Sequence, residues 1–93
     1  KLKIKDTPIT VPYGNYTNPE VFKFGDTIYM STTDIESEKV YLFKESGKTV
    51  EGFPVYGTTS ASLSRSKKDG KLELVVGSEK KDIIVYSFSD TEN

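Results

Sequence analysis

Apolar and polar residues alternate along most of this chain with a period of two, and no stretch carries the spacing of an amphipathic helix. The runs 9–11, 21–24, 28–32, 40–43, 53–56, 72–76 and 83–88 are short and rich in β-branched and aromatic side chains. Gly, Pro, Asp or Ser bounds each of them, so each is predicted to be a strand. Turn residues indicate how they connect. Gly25-Asp26 separates two runs by two residues, Asp69-Gly70 precedes the run beginning at Leu72, and Ser46-Gly47 follows Val40-Tyr41-Leu42-Phe43 as a left-handed turn position requires. Strands joined this tightly form antiparallel meanders.

The pattern is written twice. Tyr13-Gly14 returns 43 positions later as Tyr56-Gly57, Ile28 returns 44 positions later as Leu72, and Val40 returns 45 positions later as Val85. A period in the low forties is a signature of propeller blades. Strands of the first unit begin near 19, 28, 40 and 53. Those of the second begin near 61, 72 and 83, with 60–64 assigned as a strand because it stands opposite 18–22. The second unit lacks a fourth strand, and the segment that matches 53–56 lies at the other end of the chain, at 9–13. The expectation is one all-β domain, 1–93, of two four-stranded antiparallel propeller-type blades. The first spans about 17–57, and the second about 58–89 plus the N-terminal strand 9–13, placed beside 83–88. Residues 1–4 resemble a third-position strand. A small two-sheet β-sandwich is the alternative. Two blades cannot close a ring of the usual 4–8, so self-association, or further blades of a longer parent chain, is expected.

Composition narrows the chemistry. At 93 residues, 34% apolar and 12% aromatic, the chain can build only a thin core from half-buried sheets. Thirteen basic and fourteen acidic residues nearly cancel without forming blocks, so no footprint for nucleic acid appears. No apolar run approaches the ~18 residues of a spanning helix, so no membrane insertion of that kind is expected. The chain has no Cys and no His, which excludes disulfides, thiolate metal sites and His-dependent triads within it.

Gly-Phe-Pro-Val at 52–55 and Asp-Gly-Lys-Leu-Glu-Leu-Val-Val-Gly at 69–77, followed by Val85-Tyr86, resemble blades of the bacterial FG-GAP and VCBS-like β-propeller repeats. The resemblance runs from about residue 19 to 88 and implies a secreted or periplasmic protein. Calcium-binding members of that family carry alternating Asp or Asn before Asp-Gly, because a hard cation needs several oxygen ligands in one turn. Here Ser64, Arg65, Ser66, Lys67 and Lys68 occupy those positions, and Asp69 stands alone. No metal or other cofactor is expected.

Other constellations have simpler readings. Asp34, Glu36 and Glu38 alternate as a metal cluster would, but also as charges on a solvated hairpin tip that discourage edge pairing, and the tip is favoured. Lys80, Lys81 and Asp82 form the equivalent tip, whose opposite charge suggests weak pairing between the two. Tyr41, Phe43, Tyr86 and Phe88 recur at matching positions, which favours ring packing between sheets over a sugar-stacking platform. Ser60, Ser62, Ser64 and Ser66 alternate with no base or Gly-flanked elbow, so no nucleophile is assigned. The function expected is a non-enzymatic repeat module for scaffolding or partner recognition, with no catalytic residues. Its alternative is a carbohydrate-binding module that uses Tyr13, Tyr16 and Tyr56, and these three are the candidate contacts for a glycan or protein partner.

Overall fold

The computed structural model describes residues 13–89 in full and the backbone of 2–4 and 7–9. Among the described residues the chain is all-β. Strands β1 (Leu2–Ile4) and β2 (Thr7–Ile9) pair with each other. β3 (Glu20–Phe24), β4 (Thr27–Asp34), β5 (Lys39–Lys44) and β6 (Val55–Tyr56) make a four-stranded antiparallel sheet in that order. β7 (Ser62–Arg65), β8 (Leu72–Gly77) and β9 (Ile83–Phe88) make a second, three-stranded one.

The turns follow from residues that tolerate positive φ. Gly25 at φ 60° closes β3 onto β4, and Gly70 at φ 73° closes β7 onto β8. The β4–β5 and β8–β9 tips each place a non-glycine residue, Glu38 (φ 60°) and Lys81 (φ 67°), in the left-handed region. In the β7–β8 turn, Lys71 N–H donates to Asp69 Oδ1 at 3.0 Å and Arg65 Nη1 donates to the Gly70 carbonyl at 2.8 Å. Asp69 is a turn residue, its carboxyl held below the usual range chiefly by that Lys71 N–H.

The core lies between the two larger sheets. Tyr29, Val40 and Leu42 from the first meet Leu63, Leu72, Leu74 and Val76 from the second, with Phe22, Phe24, Phe53, Tyr86 and Phe88 at its margins. Met30 and Phe43 form a separate buried cluster on the opposite face of the first sheet, with Ile28 and Tyr41 packed against it. These two clusters give the packing its sense. By the repeat, Ile28, Met30, Tyr41 and Phe43 correspond to Leu72, Leu74, Tyr86 and Phe88. The first set faces away from the second sheet, whereas the second set faces the first sheet. The sheets therefore stack front to back, each showing its equivalent face in the same direction. The β1–β2 hairpin contacts the first sheet through β4.

Among the described residues no N-terminal strand completes the second unit as the repeat predicts. β2 pairs with β1, Ile4 opposite Thr7, and the second sheet keeps three strands among the described residues. Pairing with a neighbour so close in sequence closes a minimal loop at low entropic cost, which a distant edge cannot match. Residues 10–12 of the predicted strand lie outside the described residues. Residues 2–4 do form a strand.

Candidate functional site

One end of the sheet pair gathers the Tyr-Gly linkers and the two hairpin tips. Ile35 N–H donates to the Asn15 carbonyl at 2.9 Å, Gly57 N–H to the Glu38 carbonyl at 3.2 Å, and Glu79 N–H to Tyr56 Oη at 3.4 Å. Two shallow grooves result. Tyr13, Gly14, Asp34, Glu36 and Ser37 line one, and Tyr56, Ser78, Glu79, Lys80, Asp82 and Ile84 line the other. They are equivalent in the repeat: each sets a tyrosine of a Tyr-Gly pair beside a tip.

Asp34 corrects the expectation of a solvated tip. It is only 4% exposed, and its carboxylate accepts from Asn15 N at 3.2 Å, Glu36 N at 3.1 Å, Ser37 N at 3.4 Å and Ser37 Oγ at 2.7 Å. The Ser37 hydroxyl is the largest of the influences that hold its carboxyl below the usual range, against the opposing effect of burial. A β-carbon on Gly14 would stand 2.4 Å from Asp34 Oδ2, so a glycine is required there for close approach. Three of these four bonds come from backbone amides of the tip and linker, so Asp34 anchors the two to each other.

Threonines knit the linkers to the strands. Thr33 N–H donates to Thr17 Oγ1 at 3.0 Å, and Gly77 N–H donates to Thr59 Oγ1 at 2.8 Å, the same bond in each unit. Thr33 Oγ1 then crosses to the Thr59 carbonyl at 2.8 Å and ties the two sheets together. The sequence carries this as the threonines that follow each Tyr-Gly pair, a signal that glycine and aromatic patterns overshadow.

The three candidate tyrosines have different fates. Tyr13 is 102% exposed, and Tyr56 is partly exposed, its carbonyl accepting from Tyr86 Oη at 2.9 Å. Tyr16 is half-buried on the outer face of the first sheet, 6.1 Å from the Tyr41 ring, which stacks on Phe43 at 5.9 Å. Burial, with the nearby Tyr41, pushes its hydroxyl pKa up. Tyr13 and Tyr56 stand in separate grooves with no lining residue in common, so no joint aromatic platform forms from them.

The tips meet through like charges, contrary to the expected Lys–carboxylate pairing. Glu38 hydrogen-bonds Glu79 across the two units, which raises its pKa. Among the described residues no group of three or more His, Cys, Asp or Glu converges to hold a metal ion. Compared with known proteins, the chain matches no family model, no curated protein and no solved structure.

Proposed function

We propose that this chain is a non-enzymatic β-repeat module of the propeller-blade type from a secreted or periplasmic protein, whose role is scaffolding or partner recognition. The front-to-back stacking of two equivalent sheets carries this reading, because it is the relation in which successive blades pack and in which further units add without a new kind of interface. The dense hydrogen bonding of Asp34 and of the linker threonines supports a structural use of the polar residues in the repeat. The sequence resembles FG-GAP and VCBS-like repeats, and the secreted or periplasmic setting comes from that resemblance alone.

The test is insertion of a third unit. A copy of residues 14–57 placed after Gly57 should fold as a monomer with a higher urea midpoint, since it would form one additional interface of the existing kind. Aggregation, or loss of the cooperative transition, would argue for a closed sandwich instead. The carbohydrate reading has one observation in its favour, the exposure of Tyr13 and Tyr56 beside polar tips. A glycan array that binds the chain, with the signal lost in Tyr13→Ala or Tyr56→Ala, would favour it over the scaffold.

A further inference from the structure

The two sheets differ at one edge, and the difference points to a missing strand. In the first sheet, β6 covers the edge of β5, with Val40 opposite Val55 and Lys39 opposite Tyr56. In the second, β9 holds the place of β5 and has no strand on its far side among the described residues. Gly57, which follows β6, lies over Val40, where a β-carbon would be 2.5 Å from Val40 Cγ2, and the second sheet covers Val40 as well; Val85 is 56% exposed, on the face of the second sheet turned away from the first. Val75, opposite Val85 on β8, is exposed beside it, and Ile83 continues the apolar strip.

The backbone of β9 is oriented to accept such a strand. In β5 the Leu42 carbonyl accepts from Val50 N at 2.8 Å, and Lys44 N–H donates to the Lys48 carbonyl at 2.8 Å, so these residues direct their backbone groups away from β4. Ser87 takes the place of Leu42 in β9. In an antiparallel strand the N–H and C=O of one residue point to the same side, so Val85 and Ser87 turn theirs to the open edge. An edge of this length, with exposed valine and isoleucine and no proline or charge within it, is a template for strand addition.

We infer that the β9 edge is a strand-acceptor site for a peptide of the Gly-Phe-Pro-Val-Tyr-Gly kind, supplied by another polypeptide of this repeat type. The chain's own residues 52–57 on β5 are the internal example of the occupant. The incoming valine pairs with Val85 as Val55 pairs with Val40, the incoming tyrosine lies opposite Ile84, and the following glycine settles on Val85 as Gly57 does on Val40. This rests on the repeat reading above and goes further by naming the edge and the chemistry of what fills it.

The experiment titrates a synthetic peptide of residues 48–57 into the 15N-labelled chain up to ~1 mM, a range that covers weak strand pairing. Amide shifts confined to 83–89, with slowed hydrogen exchange at Val85 and Ser87, are expected. Ser87→Pro removes an outward N–H that β8 does not use, so it should weaken the peptide at least tenfold while the urea midpoint is retained. Val85→Lys, at an exposed position, should do the same should the proline variant fold poorly. Unmoved β9 amides, equal shifts from a scrambled peptide, shifts that map to the β3 edge, or undiminished binding to a folded variant would each overturn the proposal. A chain that accepts an inserted third unit but takes no peptide would sink this inference and leave the repeat reading standing.

Discussion

Gly57→Ala tests the closest approach between the two sheets. The added methyl carbon would stand 2.5 Å from Val40 Cγ2, 2.7 Å from Val76 Cγ2 and 3.0 Å from Val76 Cγ1, the first atom from one sheet and the other two from the other. Ordinary carbon contacts lie near 3.5–4.0 Å, so the sheets must part by on the order of 1 Å or the valines must leave their rotamers. Overpacking of this kind costs about 1–3 kcal/mol, and the reduced freedom of the unfolded chain returns only ~0.4–1 kcal/mol. A domain of this size holds roughly 5–14 kcal/mol in total, and each kcal/mol shifts Tm by about 4–8 °C. Urea unfolding should therefore show a lower midpoint at unchanged slope. In a Val76→Ala background, where two of the three closest atoms are gone, the added cost should fall by at least ~0.5 kcal/mol. Gly25→Ala is the control: its φ of 60° makes alanine costly, but no atom lies within 4 Å, so its penalty should not depend on Val76. A cost below ~0.5 kcal/mol for Gly57→Ala, or strict additivity with Val76→Ala, would refute the packing described here.

Leu74 is fully buried between Leu63 and Tyr86 on the flanking strands, so Leu74→Ala should cost roughly 2–5 kcal/mol by urea denaturation. Ser31 Oγ is buried with no hydrogen-bond partner among the described residues, so Ser31→Ala should be neutral or stabilising by about 1 kcal/mol in the same assay. The two acidic anchors predict opposite pH dependences. Asp34, with a lowered pKa, contributes stability that is present above its unfolded pKa and lost as pH falls through the folded one, so Asp34→Asn should flatten the acid limb of a Tm–pH profile. Glu38, with a pKa raised by Glu79, is favoured in its protonated form, and that contribution is lost as pH rises through its folded pKa. Glu38→Gln should therefore raise Tm at pH 7 and change it little at acid pH.

The strands and the repeat were legible because alternation with turn residues is a local signal: β4, β5, β8 and β9 lie where the apolar runs are. What depended on partners distant in sequence was not legible. Val85 has the apolar character of a core residue and matches buried Val40, yet it is exposed because Val40 faces the second sheet while Val85 lies on the face of the second sheet turned away from the first. Asp34 sits in a polar run that suggests solvent, and only the close approach of Gly14 and Asn15 makes it a buried anchor. The like-charged meeting of Glu38 and Glu79 likewise follows from how the sheets stack and not from the tip sequences. Of the tyrosines, Tyr16 was drawn inward by Tyr41, a contact that the alternation along β5 permits but does not specify.

Ring-to-ring contacts in solution test the front-to-back stacking most directly. The Phe53 and Phe88 centroids are 5.3 Å apart across the two sheets, while Tyr41 and Phe43 stack on each other on the far face of the first sheet. A nuclear Overhauser spectrum of the aromatic-labelled chain should show Phe53–Phe88 and Tyr41–Phe43 cross-peaks, with none from Tyr41 or Phe43 to Tyr86 or Phe88. Cross-peaks joining those two matching pairs would mean that equivalent faces meet each other, as in a closed sandwich, and would contradict the repeat stack.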